Sequence, residues 1–165
     1  MLGHKLVFQE LQAKMHYAKP LGSLGVLVVT NNVVYPNVSG TMLEGFYANE
    51  SQLVSHRSAA AQGRVVLAHA GYRADGADNH CGNITNALAA FLVSAGPRSM
   101  FGCSTGWELA QGWSTDHRDF HRPLGLPLQP TATISKTGLW RREFASGTVA
   151  TLDTRTGIGH IEWAS

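Results

Sequence analysis

The sequence predicts an α/β fold: a partial (β/α)8 barrel made of the last four strand–helix units, followed by a small C-terminal antiparallel β module. Three observations carry this expectation. Four short runs rich in Val, Leu and Met stand at Gly25–Asn32, Thr41–Phe46, Arg64–His69 and Ser99–Ser104. Runs this short and this apolar suit strands buried on both faces, as in a parallel sheet with helices packed outside. Segments of helical period separate the later runs, so the order reads strand, helix, strand, helix. Past residue 130 the pattern changes to three short alternating segments with turns between them.

The elements follow in order. From His4 to Ala18, Val7, Leu11 and Met15 fall in one row beside Phe8, which predicts a helix ended by Lys19-Pro20-Leu21-Gly22. A second helix is expected from Asn49 or Ser51, either of which can cap it, to Ala61, with Gly63 ending it. A third is expected from Ile84 to Ala95, capped by Asn83 and stopped by Gly96-Pro97. Leu88, Phe91, Leu92 and Ala95 would form its buried face. Residues 107–130, rich in Gly, Pro, His and Trp, read as a long loop with room for a short helix. Leu139–Phe144, Thr148–Asp153 and Gly159–Trp163 then read as strands, turning at Gly147 and at Thr154-Arg155-Thr156-Gly157. The expected division is 1–130 for the barrel part with its final loop and 131–165 for the β-strand extension. The aromatic residues of that extension are expected to pack against the barrel part instead of binding a ligand.

Composition narrows the classes of function. A chain of 165 residues, 44% hydrophobic and 15% charged, can bury a core as one globular unit. A net charge of +2 with scattered basic residues argues against nucleic acid or an anionic membrane as partner. No apolar stretch is long enough to span a bilayer. Neither GxGxxG nor GxxxxGK[ST] occurs, so no phosphate-bearing cofactor is expected, and no cofactor of another kind either. The two cysteines, Cys81 and Cys103, form no CxxC pair and are expected to be free thiols. Three sequons, at Asn37, Asn49 and Asn83, lean toward a secreted protein.

In a parallel α/β barrel the carboxyl ends of the strands and the loops after them build the site. Here they supply Asn31 and Asn32, Glu44, His69, and Cys103 with Ser104. Glu44 stands out because Met42-Leu43 and Gly45-Phe46 enclose it. A carboxylate in apolar surroundings is costly to ionise, so a raised pKa and a general-acid role are expected. Asn31, Asn32, His69, Tyr72, Asp75, Trp107 and Glu108 are the expected substrate-binding residues. Trp107 would stack its flat apolar face on a sugar ring. His117 and His121 are four apart with Asp116 and Asp119 nearby, but Arg118 and Arg122 put positive charge there and no HExxH pattern occurs. No metal site is therefore expected.

Several segments together also carry a family likeness. They are the run from Ala90 to Gly102, then Gly106-Trp107, Pro123-Leu124-Gly125-Leu126-Pro127-Leu128, Arg142-Glu143-Phe144 and Gly147-Thr148-Val149. The chain resembles the C-terminal half of an uncharacterised family of TIM-barrel glycoside hydrolase-like proteins, and Glu44-Gly45-Phe46 looks like the strand-end glutamate of such barrels. The resemblance implies hydrolysis of O-glycosidic bonds in a poly- or oligosaccharide by carboxylate acid/base chemistry. With four strands in place of eight, the chain is expected to be inactive alone and to self-associate through open sheet edges. Two other readings compete: a non-catalytic carbohydrate-binding or structural domain, and a metal-dependent hydrolase built on His69, His117 or His121.

Overall fold

The computed structural model describes residues 29–31, 38–71, 84–104 and 118–164. Strands β1 (Val29–Asn31), β2 (Gly40–Glu44), β3 (Val65–Ala70) and β4 (Ser99–Cys103) form a parallel sheet in the order β1-β2-β3-β4. Among the described residues this sheet is open, with β1 and β4 at its two sides. Helices α1 (Glu50–Ala61) and α2 (Thr85–Ser94) make the crossovers from β2 to β3 and from β3 to β4. Parallel neighbours need such crossovers because a tight turn would reverse the chain. The helix expected at His4–Ala18 and the start of the first strand lie outside the described residues.

Side-chain alternation gives the sheet two different faces. Leu43, Val66, Ala68, Ala70 and Cys103 point toward the helices and join the main core. Met42, Val65 and Leu67, with Val29 and Met100 beside them, form a second apolar cluster on the opposite face. All six residues of β3 are buried, as a run such as Val65-Val66-Leu67-Ala68-His69-Ala70 requires.

Helix α1 begins as expected. Asn49 caps it, its side chain accepting from the Ser51 N–H at 2.9 Å. Helix α2 differs from expectation in its burial. Seven of its ten residues are buried, on nearly every side, while Phe91 and Ala95 are only partly covered. The cause is a second sheet on its far side: β5 (Thr133–Ile134), β6 (Leu139–Glu143), β7 (Val149–Asp153) and β8 (Ile158–Glu162), antiparallel in that order. Trp140, Phe144, Ala150, Leu152 and Ile161 of this sheet share one core with the helices and the parallel sheet. Its aromatic residues are thus packing groups, as expected. Gly159 permits the close approach, because a Cβ there would stand 2.6 Å from the Ala89 Cβ. Ile84 occupies the N-cap position of α2 without a side-chain cap bond, and Asn83 lies outside the described residues.

Arg142 ties the second sheet to the end of α2. Its guanidinium donates to the carbonyls of Leu92 (3.2 Å), Ala95 and Pro130 (3.2 Å). A cation at a helix C-terminus meets the negative end of the helix dipole and satisfies carbonyls left without helical partners. The long loop does contain a short helical turn, a 3-10 segment at Arg118–His121. One expectation is overturned: Cys103 is in a disulfide and is not a free thiol. Cys81, the other cysteine of the sequence, lies outside the described residues.

Candidate active site

The parallel register brings the predicted strand-end residues to one edge of the sheet. Glu44 on β2 pairs with His69 on β3, and His69 pairs with Gly102 on β4. Register partners point to the same side, and the rung below is Met42, Leu67 and Met100. Glu44 and His69 therefore crown the face opposite the helices, above its apolar cluster. Ser104, just past β4, joins them: its Oγ lies 2.6 Å from His69 Nε2. Asn31 stands one rung lower, in register with Met42, and is exposed.

Hydrogen bonds hold this edge in place. The Phe46 N–H donates to the His69 carbonyl at 2.8 Å, and the Ser104 N–H donates to the Ala70 carbonyl at 3.2 Å. Gly45, at φ 56°, turns the chain sharply after Glu44, a conformation that favours glycine. Gln52 of α1 fills the inside of this turn. Its Nε2 donates to the carbonyls of Gly45 (3.1 Å) and Glu44 (3.4 Å), and its Oε1 accepts from the Tyr47 N–H at 3.0 Å. An open recess of about 360 Å³ lies beyond, lined by Tyr47, Ala48, Asn49, Asn86, Ala87 and Gly157. The segment following Glu44 thus forms one of its walls.

Glu44 is partly exposed, whereas His69 and Ser104 are fully buried at 0% exposure. Burial pushes the His69 pKa down to about 4, because a charged imidazole would lose its hydration there. The ring is accordingly neutral at physiological pH. In this structure it meets the Ser104 hydroxyl beneath the surface on which Glu44 opens.

Asn32, Tyr72, Asp75, Trp107 and Glu108 lie outside the described residues. So does His117, one of the three histidines of the metal reading, while His121, another, is exposed at the end of the 3-10 segment. Asp119 is held by Arg122 at 2.9 Å and Arg118 at 3.6 Å. Among the described residues, no three His, Cys, Asp or Glu side chains gather as a metal site would require. Ser104 and Gln52 are absent from the expected binding set. Ser104 has a visible signal, its place at the end of a strand run; Gln52 has none, because its role depends on how a helix meets a turn.

A parallel sheet thus carries the Glu44 side chain and a neutral imidazole at the carboxyl ends of adjacent strands. The chain matches the model of hypothetical glycosyl hydrolase family 15 over residues 2–148 and belongs to that family. No curated protein matches it.

Proposed function

We propose that this protein hydrolyses O-glycosidic bonds in a poly- or oligosaccharide, with Glu44 as the general acid. In this reading the parallel sheet is part of a TIM-like barrel and Glu44 stands on its catalytic face. The observation that carries it is the position of Glu44: a partly exposed carboxyl group at the carboxyl end of β2, in register with His69 on β3. Family membership supports the same class of reaction.

Glycoside hydrolysis generally uses two carboxyl groups. Glu44 would protonate the leaving oxygen as the bond to the anomeric carbon breaks. A second carboxylate would either activate a water molecule or attack that carbon itself. Asp75 and Glu108 belong to the segments following β3 and β4, which a barrel directs to the same face, and are this chain's candidates for the second role. Asn31, and Asn32 beside it in sequence, would hold sugar hydroxyls, and Trp107 would stack on a ring.

With four strands in place of eight this chain is expected to be inactive alone, so the test is turnover of chromogenic aryl glycosides and oligosaccharides by a form carrying the remaining barrel strands, as wild type and as Glu44→Gln. Gln keeps the size of the side chain and removes its transferable proton. Turnover should fall by about a hundredfold or more, as expected on losing a general acid. The melting temperature should stay nearly unchanged. A Glu44→Gln protein that unfolds yet keeps its activity per folded molecule would make Glu44 a structural residue. A wild-type form with all eight strands that cleaves no glycoside would likewise overturn the reading.

A further inference from the structure

We infer that Asn49 is a modification site: the native protein carries an N-linked oligosaccharide on the Asn49 side-chain nitrogen, at the start of α1. The inference goes beyond the glycosidase reading and does not depend on it.

Three Asn-x-Ser/Thr triplets stand in the sequence, at Asn37, Asn49 and Asn83. Such a triplet is an acceptor for oligosaccharide transfer where it lies at the surface of a secreted protein. Asn49-Glu50-Ser51 is exposed at all three positions. Asn37 and Asn83 lie outside the described residues, and Ile84, the middle of the third triplet, is buried. The two ends of the Asn49 amide have different surroundings. Its Oδ1 accepts from the Ser51 N–H at 2.9 Å and from the Ser51 hydroxyl at 2.7 Å. Its Nδ2 bonds to no protein group among the described residues. Transfer from a lipid-linked pyrophosphate oligosaccharide uses that nitrogen alone. The bond from the anomeric carbon of the first sugar to the pyrophosphate oxygen breaks, and that carbon bonds to Nδ2. Nδ2 releases one proton and the lipid pyrophosphate leaves. Oδ1 is untouched, so the glycosylated residue still caps α1. Asn49 stands at the rim of the open recess, where a bulky, solvated chain of sugars displaces no packed group. The disulfide at Cys103 is a second, independent observation. Disulfides form and persist in the oxidising compartments of secretion, where this transfer also takes place, and are rare in the cytosol.

The experiment is peptide mapping by mass spectrometry of the full-length protein purified from its own source. It is run before and after an amidase that releases N-linked glycans and leaves aspartate at the attachment site. The peptide bearing Asn49 should carry N-acetylhexosamine and hexose in most molecules, and should show aspartate in place of Asn49 after release. In the same cells, Ser51→Ala should lose the glycan, because the triplet needs a hydroxyl at its third position, and Ser51→Thr should keep it. Asn49→Asp should also lose the glycan while keeping an oxygen acceptor for the cap, so its helix content by circular dichroism should match the wild type. If Ser51→Ala is not recovered, Asn49→Asp supplies the same comparison. An Asn49 left unmodified in most molecules of the native protein overturns the proposal, whether Cys103 is bonded or free. A sugar on this peptide that survives both Ser51→Ala and Asn49→Asp overturns it as well.

Discussion

Among the described residues two histidines, His56 and His69, are fully buried, and serine hydroxyls contact both, yet they lie on different faces of the parallel sheet. His56 lies on the helix side of the parallel sheet, between the Phe46 ring (edge-on, 5.6 Å) and the Phe91 ring (stacked, 5.5 Å). Its Nδ1 is 2.8 Å from Ser94 Oγ and its Nε2 is 2.8 Å from Ser99 Oγ. Ser94 spends its one proton on the Ala90 carbonyl at 2.7 Å, so it accepts from Nδ1–H. That leaves Nε2 as acceptor for the Ser99 hydroxyl, whose oxygen also takes the Gly96 N–H at 2.9 Å. His56 therefore links α1, α2 and β4 with both ring nitrogens committed. His69 stands on the other face, in the rung of Glu44. The same serine–histidine pairing ties helices to the sheet in one place and stands at the strand-end edge of Glu44 in the other.

The comparison breaks most visibly if the two rings are removed. His56→Ala deletes a ring from a closed site and leaves the buried Ser94 and the half-buried Ser99 short of a partner. It should destabilise the protein by about 3 kcal/mol or more, measured by urea unfolding, without changing turnover per folded molecule. Ser104→Ala, which removes the hydroxyl beside the other histidine, should cost about 1 kcal/mol in the same measurement. Equal losses would erase the distinction.

Acid sharpens it. Burial, helped by the charge of Arg142, pushes the His56 pKa down to about 3, and burial alone pushes His69 to about 4. Both lie below the ordinary value of 6.5, so the unfolded chain takes up these protons first as pH falls. The stability that each neutral ring brings is thus complete above about pH 6.5 and is lost on acidification. Each contributes a slope of about 1.4 kcal/mol per pH unit until its folded-state pKa is reached. Urea unfolding of His69→Gln between about pH 6 and 4.5 should show a slope smaller by that amount than the wild type. An unchanged slope would mean that His69 is already charged in the folded protein.

Much of the scaffold was legible in the sequence, because strands buried on both faces leave dense apolar runs and helix ends leave caps and glycines. Val65–Ala70 and the Asn49 cap are such cases. The two-residue strand Thr133–Ile134 was not, since it is exposed and too short to alternate. The full burial of α2 escaped because a helical wheel presumes one solvent face, and a later sheet covered it. His56 was overlooked because it sits in a polar helix, although its spacing of three from both Leu53 and Ala59 marks their common buried face. The disulfide at Cys103 depends on a distance that sequence does not contain. For the candidate site, Glu44 and His69 were legible from strand ends alone. The bonds that Ser104 makes to His69 and Gln52 makes to the turn after Glu44 depend on register and on where a helix docks.

An equally small effect on stability is expected at Gln52, which lies in the region of His69 although it comes from the helix that carries His56. Its amide bridges the turn after Glu44, donating to the Gly45 and Glu44 carbonyls and accepting from Tyr47 N–H. Met at this position keeps the length and apolar stem but can make none of these bonds. The site is only partly buried, so water can replace the amide, and the loss of stability should stay near about 1 kcal/mol. Function should suffer more than stability, because the bonds released are those that orient the strand end bearing the carboxylate. Turnover should drop about tenfold with a smaller change in KM, as expected when a catalytic group is misplaced and not removed. If Gln52→Met lowers stability by that amount while kcat stays at the wild-type value, the turn holds its shape without the amide. Gln52 would then fasten the helix and have no part in positioning Glu44.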